Sequence, residues 1–445
     1  MRILKFVCFG VCTLTLSIAT YQSTYTNTTP FISYVPDSLL TLSNNASILS
    51  QNTTQDIQDF SQDFILVRNF EKSAHASSVL DLDSKLMVLF FAGDKEGSRN
   101  VKIYQSFLYK GGKSWSEPKP ILTPEWLSKQ SGKFIKKLGN PVAFRDSLGR
   151  THLFVVGVSL GGWSTSKIYQ LLFDETLENL TYIRELHLGV FVNFSHLVRT
   201  PAVLLENGGF MLPVYHELAD KYPLALFFDV QGHMQFSKRL NNLRGQLQPS
   251  IVATASSECL EFSRSYHADY AYLQHCDDMG NVWHKPIQTN LINYDSSSVL
   301  VNIGGEVVLI HNDGFNNPLL ELYQLYGEDI HIHSRASLSI FWLKDSVQGI
   351  FERLLTLDIS KNGEVSYPAA VLDSENLYIT YTYDRKQIKY AKVRLDTLQE
   401  LIAQAKEKNP VFFKEQDKDI GEDPLLYLRD FYFAQNGYMS QDFRH

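Results

Sequence analysis

Along most of this chain the apolar residues fall in short runs, broken by Gly, Asn, Asp and Pro rather than recurring at helical spacing. Runs of that kind, rich in Val, Ile, Leu, Phe and Tyr and bounded by turn formers, predict β-strands. One unit recurs six times: a small residue or proline, two to four apolar positions, a turn, then a second apolar run. It opens at Ser77 (SSVLDLDSKLMVLFF), Pro141 (PVAFRDSLGRTHLFVV), Pro201 (PAVLLENGGFMLPVY), Pro249 (PSIVATASSECLEFS), Ser297 (SSVLVNIGGEVVLIH) and Pro368 (PAAVLDSENLYITYT). Successive openings lie roughly 50 to 70 residues apart, the size of a four-stranded sheet that begins with a hairpin. The pattern predicts an all-β, six-bladed propeller over residues 64–395. A two-sheet sandwich would not require the same opening in every unit.

The flanks read differently. Arg2 and Lys5 precede an apolar run from Phe6 to Ala19, the layout of a secretory signal or anchor over residues 1–20. Residues 21–63, rich in Ser, Thr, Asn and Gln, read as a spacer. Amphipathic helix is expected only near the end, from Asp396 to about Lys408, and Pro410 stops it. The rest of the 396–445 segment includes Leu425, Leu426, Tyr427 and Phe431, apolar enough to pack on the domain or on a partner. The expected location is outside the cytoplasm, in the periplasm, tethered to the inner membrane if the N-terminal run is retained.

Composition narrows the partners. A net charge of −7 over 445 residues gives no basis for binding nucleic acid, so an anionic ligand would need local cations. Cys259 and Cys276 fall on neighbouring predicted strands; export would permit a disulfide, and two buried thiols is the plainer reading. His331 and His333 share one face of an extended run without a third ligand, so no metal site is expected, and no cofactor fingerprint occurs.

Between the hairpins, Cys276-Asp277-Asp278-Met279-Gly280-Asn281-Val282-Trp283 approximates the pattern Ser-x-Asp-x-Gly-x-Thr-Trp. A weaker copy ends at Gly112-Lys113-Ser114-Trp115, with Lys110 in place of the Asp. These resemble the Asp-box turns of sialidase-like propellers. With the stretches His75-Ala-Ser-Ser, Phe91-Ala-Gly-Asp-Lys-Glu-Gly, Asn140-Pro-Val-Ala-Phe-Arg-Asp, Gln248-Pro-Ser-Ile-Val and Ser366-Tyr-Pro-Ala-Ala, residues 64–395 resemble the sialidase (neuraminidase) superfamily, in its divergent bacterial branch. That branch includes the sialidase-like component of two-part hydrolases of Kdo, the acidic sugar of the lipopolysaccharide core.

The resemblance implies a site for a sugar carboxylate, which stays ionised and which guanidinium groups hold by charge-assisted pairs. Arg264 and Arg335 fall where the family places its second and third arginines. His75 stands where the family has its first, and Arg199, in Arg-Thr-Pro, is a candidate to compensate. Sialidases use a tyrosine nucleophile. Tyr367 is the candidate, one residue beyond the family position, and Gln248 stands where a glutamate normally activates it. Glu96 and Asp94, in the glycine-flanked loop after the first hairpin, are candidates for the acid. The resemblance therefore implies an exo-glycosidase removing a terminal 3-deoxy-2-ulosonic acid, with Kdo favoured and a membrane-embedded partner subunit expected. An exo-sialidase and a non-catalytic carbohydrate-binding or scaffold propeller are the alternatives.

Overall fold

Six antiparallel sheets follow one another along the chain, each with one of the repeated openings in or beside its first strand. The computed structural model describes residues 30–31, 60–65, 71–189, 193–317, 334–361 and 363–407. The first strands of the six blades are Ser73–Asp81, Lys137–Arg145, His196–Val198, Gln246–Ala253, Val299–Asn302 and Val365–Leu372. These strands neighbour one another across blade boundaries, except that Gln246–Ala253 meets blade 3 through Val203–Leu204 and Phe210–His216. The architecture is the six-bladed propeller that the repeat predicts.

Ring geometry explains why the strands read as unbroken apolar runs. Each sheet packs against a neighbour on both faces, so both sets of alternating side chains are buried. In the second strand of blade 1, Lys85–Gly93, every residue after Lys85 is buried. Val88 and Phe90 pack with Tyr378 and Tyr390 of blade 6, whereas Met87, Leu89 and Phe91 pack with Leu153 and Val155 of blade 2. An apolar cluster of this kind fills each of the six boundaries between blades.

Closure of the ring joins the two ends of the domain. Phe60–Ile65 pairs antiparallel with Gln387–Arg394 as the outermost strand of blade 6, so the propeller begins at Phe60 rather than at residue 64. Ile65 is fully buried beside Val88, Phe90 and Tyr390. Lys110 adds an ionic tie: its Nζ lies 2.8 Å from Asp81 of blade 1 and 2.9 Å from Asp373 of blade 6. In the weak Asp-box copy, the lysine thus bridges two blades.

Several expectations need correction. A helix absent from the sequence reading, α1 (Pro124–Ser131), follows blade 1; Thr123 caps its N-terminus and Gly132, at φ 67°, ends it. Its eight residues are too few to show amphipathic periodicity. The C-terminal helix, α2 (Leu395–Glu407), buries Leu398, Ile402 and Ala405 against blades 5 and 6. Phe31, assigned to the spacer, is buried between blades 3 and 4, and its N–H donates to Ser256 O at 2.6 Å. Cys259 and Cys276 occupy directly paired positions and form a disulfide, not two thiols. At the stronger Asp box, the Trp283 indole N–H donates to Gly280 O at 2.8 Å and Asn281 N–H to Asp278 O at 3.0 Å. Backbone and indole close that turn. The N-terminal run 1–20, the tail beyond residue 407 and His331 and His333 lie outside the described residues. Among the described residues no helix is long and apolar enough to cross a membrane.

The closing strand gives a direct test. Replacing Ile65 with Ala should cost about 2–5 kcal/mol of unfolding free energy, as for a residue in the middle of a blade. Denaturant unfolding with Leu89→Ala as the reference measures it; a cost below about 0.5 kcal/mol, the size of an ordinary surface substitution, would mean that this strand does not close the ring.

Candidate functional site

The same irregularity is built into the first strand of four blades. Pairing with the second strand slips between His75 and Ser78, Gly139 and Val142, Leu247 and Ser250, and Ser366 and Ala369. Each slip contains a residue in the left-handed region: Ala76 (φ 53°), Asn140 (39°), Gln248 (49°) and Tyr367 (56°). Three of the four precede a proline, which disfavours the ordinary helical conformation before it. A bulge with positive φ at a non-glycine residue stores about 1–3 kcal/mol of strain and re-aims the side chain. Here it turns Asn140, Gln248 and Tyr367 toward one another. The Tyr215 hydroxyl lies 3.4 Å from Asn140 Nδ2 and 3.3 Å from Gln248 Nε2, and Gln248 Nε2 is 3.4 Å from Tyr367 Oη.

The bulge also explains the register of the tyrosine. Ser366 turns away and donates to Glu364 at 2.7 Å, while Tyr367 enters the cluster. The Tyr367 hydroxyl accepts a hydrogen bond from Arg264 Nη1 at 2.8 Å. Arg264 Nε donates to Asp295 Oδ1 at 2.6 Å. Arg335 Nη2 donates to the main-chain oxygen of the same Asp295 at 2.5 Å, and its Nη1 lies 3.6 Å from Glu364. The two arginines therefore converge on one aspartate instead of pointing to opposite flanks. Burial alone would disfavour the Arg264 charge, but Asp295 outweighs it and raises the guanidinium well above its ordinary value.

A third cation joins from a place the sequence reading missed. Arg385 sits in the three-residue turn Asp384–Lys386 between two strands of blade 6, where Asp384 and Arg385 both have positive φ. Its Nε lies 3.0 Å from Glu364 Oε1, and its Nη1 donates to Glu96 Oε2 at 2.7 Å. Burial would raise the Glu364 carboxyl, yet Arg335 and Arg385 hold it down at about 2. Asp295 and Glu364 were likewise missed: each is a single acidic residue in a turn or strand end, and only the closed ring gives it an arginine.

The remaining candidates have other places. Arg199 is buried beneath the cluster, with Nη1 donating to Ser77 O and Nη2 to the main-chain oxygens of Tyr367 and Pro368. Burial lowers it to about 10. It braces the Tyr367 bulge and does not compensate for the family's first arginine. His75 is buried with its ring 4.2 Å from that of Tyr367; burial, then the charge of Arg385, hold it well below its ordinary value. A neutral ring packed there supplies no cation. Glu96 is brought to the cluster, through Arg385. Asp94 is exposed and lies 3.6 Å from Lys72, outside the cluster. Among the described residues no group of three or more metal-ligating side chains occurs.

The Glu364 carboxylate predicts a pH dependence. Its folded-state value is depressed, so its stabilisation is complete above about 4.5 and is lost as pH falls toward about 2. Glu364→Gln should lower stability near neutral pH, and the gap from the wild type should close across that acid window. Thermal unfolding against pH measures it; a gap constant through the window would remove the ion pairs from the account.

Comparisons with known proteins agree with the fold. Residues 84–379 match the BNR repeat-like domain family. Among solved structures, a Dyadobacter fermentans protein of unknown function aligns at TM-score 0.58 and 12% identity, over 76% of this chain and 100% of that one. Trypanosoma rangeli sialidase with the inhibitor DANA aligns at TM-score 0.56 and 11% identity, over 76% of this chain and 57% of that one. A Hadza microbial sialidase aligns at TM-score 0.53 and 13% identity, over 73% and 66%. The matched region thus spans little more than half of the Trypanosoma enzyme. The sequence matches none of the curated proteins. The chain belongs to the BNR repeat-like domain family, and its six-bladed ring is the fold of the sialidases.

Proposed function

We propose that this propeller is an exo-glycosidase that removes a terminal 3-deoxy-2-ulosonic acid, with Kdo as the favoured sugar. The observation that carries this reading is the contact between Arg264 Nη1 and Tyr367 Oη, 2.8 Å, beside an aspartate shared with Arg335. A sugar with a carboxylate on its anomeric carbon would place the anion against the arginines and that carbon against the phenol. Arg264 Nη2 and Arg385 Nη2 have no partner among the described residues and remain as donors. Tyr367 then supplies the oxygen that meets the anomeric carbon as positive charge builds there, and a phenol repels the sugar carboxylate less than an anionic side chain would. Kdo is favoured over sialic acid because neutral His75 and Gln248 replace two expected groups, and because an anchored, exported chain would work beside lipid-linked sugar. A membrane-embedded partner subunit and a periplasmic location belong to the same proposal.

A second reading, a propeller that binds acidic sugars without turnover, has one observation in its favour: Gln248, an amide, contacts Tyr367 where a base would be expected.

Membranes containing the full chain, with and without its co-expressed partner, incubated with Kdo-bearing lipid separate the two. Release of free sugar that falls by about three orders of magnitude in Tyr367→Phe, with binding of the free sugar acid unchanged, supports the hydrolase. Binding without release in either membrane overturns it in favour of the second reading. Arg264→Ala should cost about 2–5 kcal/mol of affinity for the sugar acid, measured by calorimetry; unchanged affinity would remove Arg264 from the site.

A further inference from the structure

Neither acidic candidate from the sequence stands free to give up a proton. Glu96 is engaged by Arg385 at 2.7 Å, and Asp94 lies outside the cluster. Asp295 and Glu364 are tied to arginines. One carboxyl at this end of the ring differs from all of these. Glu217 follows the second strand of blade 3, Phe210–His216. Its N–H donates to Ser195 O at 2.9 Å, which extends the ladder pairing His196 with His216 by one step. Side chains alternate along a strand, so Glu217 shares a face with Tyr215, one step nearer the open end of the ring. Tyr215 is the residue whose hydroxyl meets Gln248, and Gln248 meets Tyr367.

Glu217 is half-buried, and its carboxylate forms no hydrogen bond or ion pair with the described residues. The charges that act on it do so through space: Arg264 and Lys221 favour ionisation, Asp295 and Glu96 oppose it. Burial is the largest influence and raises the carboxyl above its ordinary value. The neighbouring rings add no cation, since burial lowers both His196 and His216. A carboxyl with no fixed partner, sensing the same arginine that holds Tyr367, is equipped to carry a proton in both directions.

We infer that Glu217 is the general acid of this site, a role that rests on the glycosidase reading above. As the bond between the anomeric carbon and the leaving oxygen breaks, the electron pair stays on that oxygen, which takes the Glu217 proton. While Tyr367 Oη bonds to the anomeric carbon, the phenol proton passes to solvent. Water then adds to that carbon as the bond to Tyr367 breaks and gives its proton to the Glu217 carboxylate. The phenolate regains a proton from solvent, so the net reaction is hydrolysis with nothing else consumed. Arg264 stabilises the carboxylate between the two steps. The acid is supplied by blade 3, not by the loop after the first hairpin.

The test compares two glycosides of the same acidic sugar in wild type, Glu217→Gln, Glu217→Asp and Glu96→Gln, using the full chain in membranes with its partner. One glycoside carries an aliphatic alcohol, the other a nitrophenol that leaves without protonation. Glu217→Gln should lower kcat for the aliphatic glycoside by about 100- to 10,000-fold and for the nitrophenyl glycoside by less than about tenfold. The alkaline limb of its kcat profile should also vanish. Glu217→Asp should recover part of the loss, and Glu96→Gln should affect both substrates equally. An active wild type whose Glu217→Gln loses both activities equally, or neither, overturns the acid role and leaves the glycosidase reading standing. A wild type that hydrolyses neither substrate overturns the glycosidase reading, and the acid role with it.

Discussion

Three guanidinium groups brought to one end of a ring repel one another, and the carboxylates of Asp295 and Glu364 allow them to stand together. Arg335 and Arg385 each oppose the other's charge in this arrangement, yet both lie against Glu364. Arg264 and Arg335 meet at Asp295. Desolvated cations without such partners would shed protons or leave the site. In the proposed glycosidase the carboxylates would also set what binds: an incoming anion would meet arginines that are already oriented and would have to find the donors their partners leave open.

Orientation of the phenol depends on a second device. Left-handed residues at non-glycine positions are costly, and four blades carry one at the same place in the first strand. The cost is met by the packing of the ring, with Arg199 beneath binding the main-chain oxygens of Tyr367 and Pro368 directly. Strain and buried charge at the centre are thus sustained by the apolar clusters between blades, which place few demands on individual side chains. This division explains how the ring can be shared with sialidases at 11–13% identity.

The ring was legible because its physics repeats: every blade must bury both faces of its second strand, so the same apolar run returned six times. The convergence of Arg264, Arg335 and Tyr367 was legible through resemblance. The misses have a common cause. Arg385 lies in a hairpin turn indistinguishable from a solvated one, Asp295 and Glu364 are single acids, and Glu217 follows an apolar strand in blade 3. Each becomes notable only through a neighbour from another blade, which no local window contains. Arg199 failed in the opposite sense: its Arg-Thr-Pro context looked like a ligand arginine, whereas the backbone at the centre of the ring required a buried donor. Phe31 and the strand at Phe60 escaped because a short apolar element inside a polar stretch carries no periodicity.

The most direct test is a crystal structure of the full chain soaked with a free 3-deoxy-2-ulosonic acid. The account predicts the sugar carboxylate within hydrogen-bond distance of Arg264 and Arg335 or Arg385, with the anomeric carbon facing Tyr367 Oη. A sugar bound elsewhere on the ring, with Asp295 and Glu364 still occupying the arginines, would contradict it.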